Sequence, residues 1–410
     1  MRRVLLFAFL SIVSTIVCSQ NAVSGIVLDS LTHEPLPYVN VYIDGTTKGT
    51  VTDDSGKFTL KYKSLPSTIV FSFVGYQPKG LELTQDPGDL LIELNPYNEL
   101  PQIDTDGSER AYLLEYFKQK FLGEDRWGQN AIIKNDEVLF FDSNNLDKVI
   151  VRSEDPNELF EKSPNYESNS YDVKNLHPKY ISNIGFKKNK LISFKAWTSA
   201  PLIIDMPLLG YEMYVDLVSF TVQEQKDCED LCRMLGHFYF KPYDIDKESK
   251  NKKIEKNRLL AYYSSSQHFL HSWYQGRLKE NGYIIVTPSD QSPSIEVKIH
   301  ESLKATELVP LDISQYSKTI EDVGMQVYGL KGKKLNIIYF HKHNGSPKII
   351  KDGSDYPDSD YSVSEIIVLK DTCMFLKDGT VIDNDIIFMG DMSKSRVASF
   401  LPNDYVPNDE

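Results

Sequence analysis

Val39-Asn-Val-Tyr-Ile-Asp-Gly-Thr-Thr-Lys-Gly-Thr-Val-Thr-Asp-Asp-Ser-Gly-Lys-Phe-Thr-Leu60 decides the fold of the first part of this chain. Val39, Val41 and Ile43 alternate with Asn40 and Tyr42, the two-residue period of a half-buried strand. Phe58, Leu60 and Tyr62 repeat the pattern, as do Ile69, Phe71 and Phe73, and then Leu90, Ile92 and Leu94. Turn residues separate these runs: Asp44-Gly45, Asp54-Ser55-Gly56, Leu65-Pro66-Ser67 and Pro87-Gly88. The carboxylates of Asp53 and Asp54 can cap backbone N–H groups, and Gly56 can take the positive φ of a tight turn. Short strands at close spacing with this punctuation predict a small β-sandwich over residues 20–96.

The same residues resemble a family. Gly25-Ile-Val-Leu-Asp29, Glu34-Pro-Leu-Pro-Tyr-Val-Asn-Val-Tyr42, Gly45-Thr-Thr47, Gly49-Thr-Val-Thr-Asp-Asp54, Gly56-Lys-Phe58 and Phe71-Ser-Phe-Val-Gly-Tyr76 together look like the carboxypeptidase regulatory-like domain. The resemblance implies a transthyretin-like β-sandwich of the kind found at the N-termini of Bacteroidetes envelope proteins. It implies no peptidase chemistry.

The chain has 410 residues, enough for two or three cores, and a formal charge of −13. That acidity argues against binding a phosphate backbone, so no nucleic-acid partner is expected. The lysine-rich run from Lys247 to Lys256 is broken by Glu248 and Glu255 and reads as a solvated helix face. Residues 1–19 read as a secretory signal: Arg2 and Arg3, an apolar run from Val4 to Val17, and Ser19 before a cut ahead of Gln20. Cys18 raises the alternative of a lipid anchor, but Val17 stands where that signal wants a small residue. No later stretch is long and apolar enough to span a bilayer as a helix. The mature protein is therefore expected to be exported, to the periplasm or the outer-membrane surface, without a transmembrane span.

Residues 97–124 read as a linker and helix. Pro96 and Pro101 mark the linker, Ser108 caps a helix carrying Leu113, Leu114, Phe117 and Phe121, and Gly123 stops it. Some relatives join the sandwich to an outer-membrane receptor through a short acidic-aliphatic box. Asn98-Glu-Leu-Pro-Gln-Ile103 echoes that box only in part, and the remaining sequence lacks the repeated lipid-facing strands of a large barrel, so a receptor is not expected. Residues 125–410 are expected to form one β-rich α+β domain. Its strands run at Ile132-Ile133, Val138 to Phe141, Leu191 to Phe194, Pro201 to Ile204, Tyr211 to Leu217, Ile295 to Ile299, Leu335 to Phe340 and Ile366 to Leu369; helices run from Asn251 to Tyr263 and from Ser266 to Glu280. The fold class is thus mainly β, α+β: a transthyretin-like sandwich followed by a larger β-rich domain. A second resemblance lies here. Phe121-Leu-Gly123, Asn130-Ala-Ile-Ile-Lys-Asn135, Pro201 to Tyr211, Asn257 to Tyr262, His268-Phe-Leu270 and Arg396 to Tyr405 look like the domain that accompanies the sandwich in many exported Bacteroidetes proteins. It implies an architecture and a compartment, not an activity.

Candidate chemistry is sparse. His268 and His271 on a helix, with His341 and His343 on a strand, are the residue types of a four-ligand zinc site, but core and strand-end roles are the preferred reading, and no metal or cofactor is expected. Ser265 and His268 could serve as nucleophile and base, but no Gly-x-Ser-x-Gly elbow and no acid accompany them, so no catalytic residue is assigned. The acidic stretch from Asp352 to Asp360 misses the spacing of a calcium loop. Cys228 and Cys232 form a candidate disulfide at a hairpin tip if the segment is extended, or two free thiols if it is a helical turn. Cys373 reads as a reduced core residue. The 24 tyrosines suit either a binding face or ordinary packing. The function expected is a non-catalytic envelope protein that binds or scaffolds a protein or glycan partner. The alternative is an exported hydrolase with its active site in the second domain.

Overall fold

The computed structural model describes residues 21–62, 65–97, 107–144, 149–151, 184–186, 193–224, 230–245, 247–263, 265–287, 309–340, 361–382, 385–394 and 396–407. The first seven strands are β1 (Asn21–Asp29), β2 (Asn40–Ile43), β3 (Gly49–Val51), β4 (Lys57–Tyr62), β5 (Ser67–Ser72), β6 (Lys79–Leu83) and β7 (Asp89–Leu94). They form two sheets, β4-β1-β7 and β3-β2-β5-β6, which bury Val23, Val27, Val41, Phe58, Leu60, Ile69, Phe71, Ile92 and Leu94 between them. This is the sandwich expected from the alternation. Asp53 closes its turn as read: Oδ1 accepts from the backbone N–H groups of Ser55 and Lys57, and Gly56 sits at φ 72°.

The two sheets differ on their outer faces. Strand β4 alternates cleanly between exposed and buried residues, as a sheet with one wet face must. In β2 and β5 the outward residues Tyr42, Val70 and Ser72 are buried as well. A second body covers that face.

That body begins with the helix Gly107–Phe117, continued by a π-helical turn over Lys118–Leu122 and ended by Gly123 at φ 102°. The helix read from Ser108 to Gly123 is present and closes a core: Leu113, Phe117, Phe121 and Leu122 are buried with Phe141, Phe194, Met213 and Phe220, while the expected linker residues 98–106 lie outside the described residues. The sheet beneath contains β8 (Ile132–Ile133), β9 (Leu139–Asn144), β12 (Ser193–Thr198), β13 (Leu202–Met206), β14 (Tyr211–Gln223) and β15 (Leu231–Pro242). Its order is β8-β13-β14-β12-β9, with β15 on the other side of β14. The short pair β10 (Val149–Val151) and β11 (Ile184–Phe186) stands apart from it. Along β14 the core-facing residues are Tyr211, Met213, Val215 and Leu217, then Phe220 and Val222. The switch from odd to even numbers marks a β-bulge at Val218, opposite Gly236. A Cβ at Gly236 would lie 2.7 Å from the Asp216 carbonyl oxygen, so the crossing needs glycine.

A third core lies within the same stretch of sequence. The helix Ser266–Tyr274 and the strands β16 (Tyr283–Thr287), β17 (Val309–Pro310), β18 (Ser317–Ile320), β19 (Gly324–Tyr328), β20 (Lys334–Phe340), β21 (Tyr361–Val368), β22 (Thr372–Leu376) and β23 (Ile386–Gly390) enclose Phe269, Trp273, Leu335, Ile337, Ile366 and Phe375. Two separate sheets serve it, β17-β16-β20-β21-β23 and β18-β19-β22. The helix is capped by Ser265 rather than Ser266 and ends at Tyr274, short of the expected Glu280, because the chain turns through Gly276 at φ 68°. Phe269 and Trp273 meet one turn apart as expected, with ring centroids 5.8 Å apart. The preceding helix, Glu248–Tyr262, carries its lysines to solvent as read from the sequence and buries Ile254 and Tyr262. The expected strand from Ile295 to Ile299 lies outside the described residues.

The C-terminal segment ties the three cores together. Leu401 and Tyr405 enter the second core, while the Asn403 backbone N–H donates to the Gly45 carbonyl at 2.7 Å and its side chain donates to Thr380 Oγ1 at 2.9 Å. Asp404 accepts from the Thr47 backbone N–H and from its hydroxyl. Gln267, at the start of the Ser266–Tyr274 helix, donates to the Pro402 carbonyl. The Arg396-to-Tyr405 motif thus has a mechanical role, and Gly45 is required where a Cβ would lie 2.5 Å from Asn403 Nδ2.

Candidate functional site

The seam between the sandwich and the six-stranded sheet is polar at its centre. Asp216, on the outward face of β14, is 5% exposed. Its carboxylate accepts from the Tyr42 hydroxyl at 2.5 Å and the Ser72 hydroxyl at 2.6 Å, both on the sandwich. A few ångströms along, Asp44 accepts from the Phe238 backbone N–H at 2.8 Å and pairs with His237 Nδ1 at 2.7 Å. Main-chain bonds complete the joint: the Gly45 N–H donates to the Phe238 carbonyl and the Phe240 N–H to the Thr46 carbonyl. The Tyr42 and Tyr239 rings pack at 5.3 Å. Burial raises the Asp216 carboxyl above its ordinary value, against the pull of Ser72, Tyr42 and His237. For His237 burial disfavours the cation, but the hydrogen bond and charge of Asp44, with Asp216 behind it, prevail and raise the imidazole above its ordinary value.

The seam opens at one end into a cleft of about 240 Å³. The sandwich contributes Phe73, Tyr76, Gln77, Pro78 and Tyr97; the facing sheet contributes Trp197, Ala200, Asp216 and Val218. The bulge at Val218 turns that residue out into the cleft, where it is 47% exposed. Tyr76 is fixed by donation to Asp29 Oδ2 at 2.6 Å, and Asp29 in turn accepts from the Leu31 and Thr32 backbone N–H groups. Trp197 packs beside its cross-strand partner Phe140, nearly parallel to it at 6.0 Å, and the Lys195 ammonium lies 5.5 Å from its centroid. None of these cleft residues stands out as a site in the sequence. The signal available is Phe71-Ser-Phe-Val-Gly-Tyr76, which carries a family pattern and no chemistry of its own.

The residues singled out for chemistry lie elsewhere. His268 is fully buried between the second and third cores, with Nδ1 2.8 Å from the Tyr283 hydroxyl. His271 Nδ1 pairs with the Tyr262 hydroxyl at 2.8 Å. Ser265 Oγ accepts from the His268 backbone N–H and donates to the Tyr262 carbonyl, so its hydroxyl is engaged as a helix cap. His341, His343 and the stretch from Asp352 to Asp360 lie outside the described residues, as do the signal segment and Cys18. Among the described residues, no three His, Cys, Asp or Glu side chains gather as metal ligands. Cys373 is a buried free thiol, raised to about 11 by burial.

Cys232 is also a free thiol here, placed within β15 opposite Val222 rather than at the hairpin tip, because the hairpin strands end at Gln223 and begin again at Leu231. Cys228 lies outside the described residues. The pairing therefore stands as a proposal about the exported, oxidised protein. Thiol titration of the unfolded, unreduced mature chain is expected to find one free thiol, that of Cys373. Three free thiols would rule the bridge out.

Mainly β with helices packed on its sheets, the chain is an α+β protein led by a seven-stranded sandwich. Residues 23–102 match the CarboxypepD_reg-like domain, and the sandwich is such a domain. Over 119 residues the chain is 35% identical to the TonB-dependent receptor SusC of Bacteroides thetaiotaomicron, a match covering 29% of this chain and 10% of the receptor. The chain thus corresponds to about a tenth of that relative's length. Two solved structures overlap in part. A membrane-associated protein of unknown function from Bacteroides fragilis covers 55% of this chain at 11% identity and a TM-score of 0.16. A protein from Bacteroides uniformis titled as carbohydrate-binding covers 52% at 11% identity and the same TM-score. Among the described residues, no helix is long and apolar enough to cross a membrane.

Proposed function

We propose that this protein is a non-catalytic component of the bacterial cell envelope that binds a glycan or protein partner in the cleft between its sandwich and its second core. The cleft carries the reading. It is walled by aromatic rings from two bodies that the Asp216 seam and the C-terminal segment lock together, so its shape is set before any ligand arrives. The domain match and the partial identity to an envelope receptor of a Bacteroides species support the compartment. Export through the signal of residues 1–19 and release ahead of Gln20 belong to the same proposal.

Affinity capture from envelope extract tests it, with the mature chain and its Trp197→Ala variant as parallel baits. The expected result is a partner enriched by the mature chain and lost with the variant. Identical captures by the two baits would remove the cleft from the function.

A further inference from the structure

We infer that the cleft holds a single neutral sugar ring, one residue of a glycan, stacked on Trp197. The inference rests on the reading of the cleft as the binding site and names its ligand class. Size comes first. At about 240 Å³ the cleft is smaller than the roughly 300–1,000 Å³ of sites for drug-sized molecules, so it takes one ring and not several. Its walls are the rings of Phe73, Tyr76, Tyr97 and Trp197. An aromatic face is electron-rich and attracts the positive C–H edge of a neighbour; a pyranose presents such C–H bonds on one face and hydroxyls around its rim.

Hydrogen-bonding groups for that rim are present. Trp197, Gln77 and Tyr97, which carry an indole N–H, a side-chain amide and a hydroxyl, are among the lining residues, and none of these groups has a hydrogen-bond partner among the described residues. All are neutral, and together they donate and accept, which suits hydroxyls. Three competing ligand classes fit less well. An extended peptide needs a free strand edge, yet β12 and β14 are paired on both sides, and the Tyr76, Gln77 and Tyr97 backbone N–H groups are already bonded within the protein. An anion would find no cationic side chain among the residues lining the cleft. A quaternary ammonium would find the carboxylate oxygens of Asp216 taken by Tyr42 and Ser72, and the Lys195 ammonium already beside the Trp197 ring.

The test uses the full mature chain and the methyl glycosides of glucose, galactose, mannose, xylose and N-acetylglucosamine, with glucuronate and choline as charged probes. Saturation-transfer NMR reports which ligand protons touch the protein, and tryptophan emission gives the affinity. At least one neutral glycoside is expected to bind, with Kd on the order of millimolar for a single ring. Trp197→Ala should weaken it about tenfold or more, and Gln77→Ala, an exposed loop substitution, by roughly threefold. Preferential binding of glucuronate or choline would overturn the inference. So would neutral binding that both variants leave unchanged. If no glycoside binds while envelope extract still yields a Trp197-dependent partner, the sugar assignment fails and the binding reading stands. If neither occurs, both fail.

Discussion

Replacing Asp216 by alanine is expected to lower the stability of the full chain by about 2–4 kcal/mol, measured by urea unfolding. The substitution removes a buried carboxyl group that accepts two hydrogen bonds and leaves the hydroxyls of Tyr42 and Ser72 buried in the seam without their acceptor. Asp216→Asn keeps an acceptor for one of them and should cost about half as much. An unchanged unfolding midpoint for Asp216→Ala would mean that the carboxylate does not hold the sandwich. The seam is also pH-dependent, and the sign comes from two raised values. Asp216 and His237 both hold a proton more firmly in the folded chain than their ordinary values of 3.8 and 6.5. Each contribution is therefore fully present below the ordinary value and lost as pH rises through the folded one. For His237 the loss begins at 6.5 and runs upward, so stability should decline from mildly acidic to mildly alkaline pH, and His237→Asn should flatten that decline.

Phe117→Ala is expected to cost about 3–5 kcal/mol. Phe117 is fully buried, lies at 4.6 Å from the Phe121 ring and meets Phe220 edge-on at 5.7 Å. Alanine would leave a cavity that the rigid rings of Phe121, Phe220 and Phe141 cannot collapse to fill. The measurement separates two accounts of residues 107–122. A helix that merely spans two domains would lose under about 1 kcal/mol, whereas a helix that closes a core loses the full amount.

Much of the fold was legible because burial on one face leaves a period. The alternations at Val39 to Ile43, Phe58 to Tyr62 and Tyr211 to Leu217 each became a strand with those residues inward. What escaped was the second face. Tyr42, Val70 and Ser72 point away from the sandwich core, and an outward Val70 on an otherwise alternating strand was a sign that something covers it. The phase change between Leu217 and Phe220 was likewise a visible bulge. The cleft could not be read at all. Its residues come from positions 73–78, 97, 197–201 and 216–218, and no local pattern links them. The histidines drew attention because their chemistry is versatile, yet His268 has no exposed surface and serves the packing of two cores.

The contacts of Asn403 and Asp404 with Gly45, Thr47 and Thr380 bear on how the molecule comes into being. Synthesis delivers the sandwich early and the latch much later, more than three hundred residues on. The seam through Asp216 and Asp44 can close on the sandwich once β14 and β15 are made, but the C-terminal ties form only when Asn403 and Asp404 have emerged. A chain that stopped just short of Asn403 would carry nearly every core residue and lack the fastening. Such a chain would hold its sandwich by the seam alone, without the ties through Thr47 and Thr380.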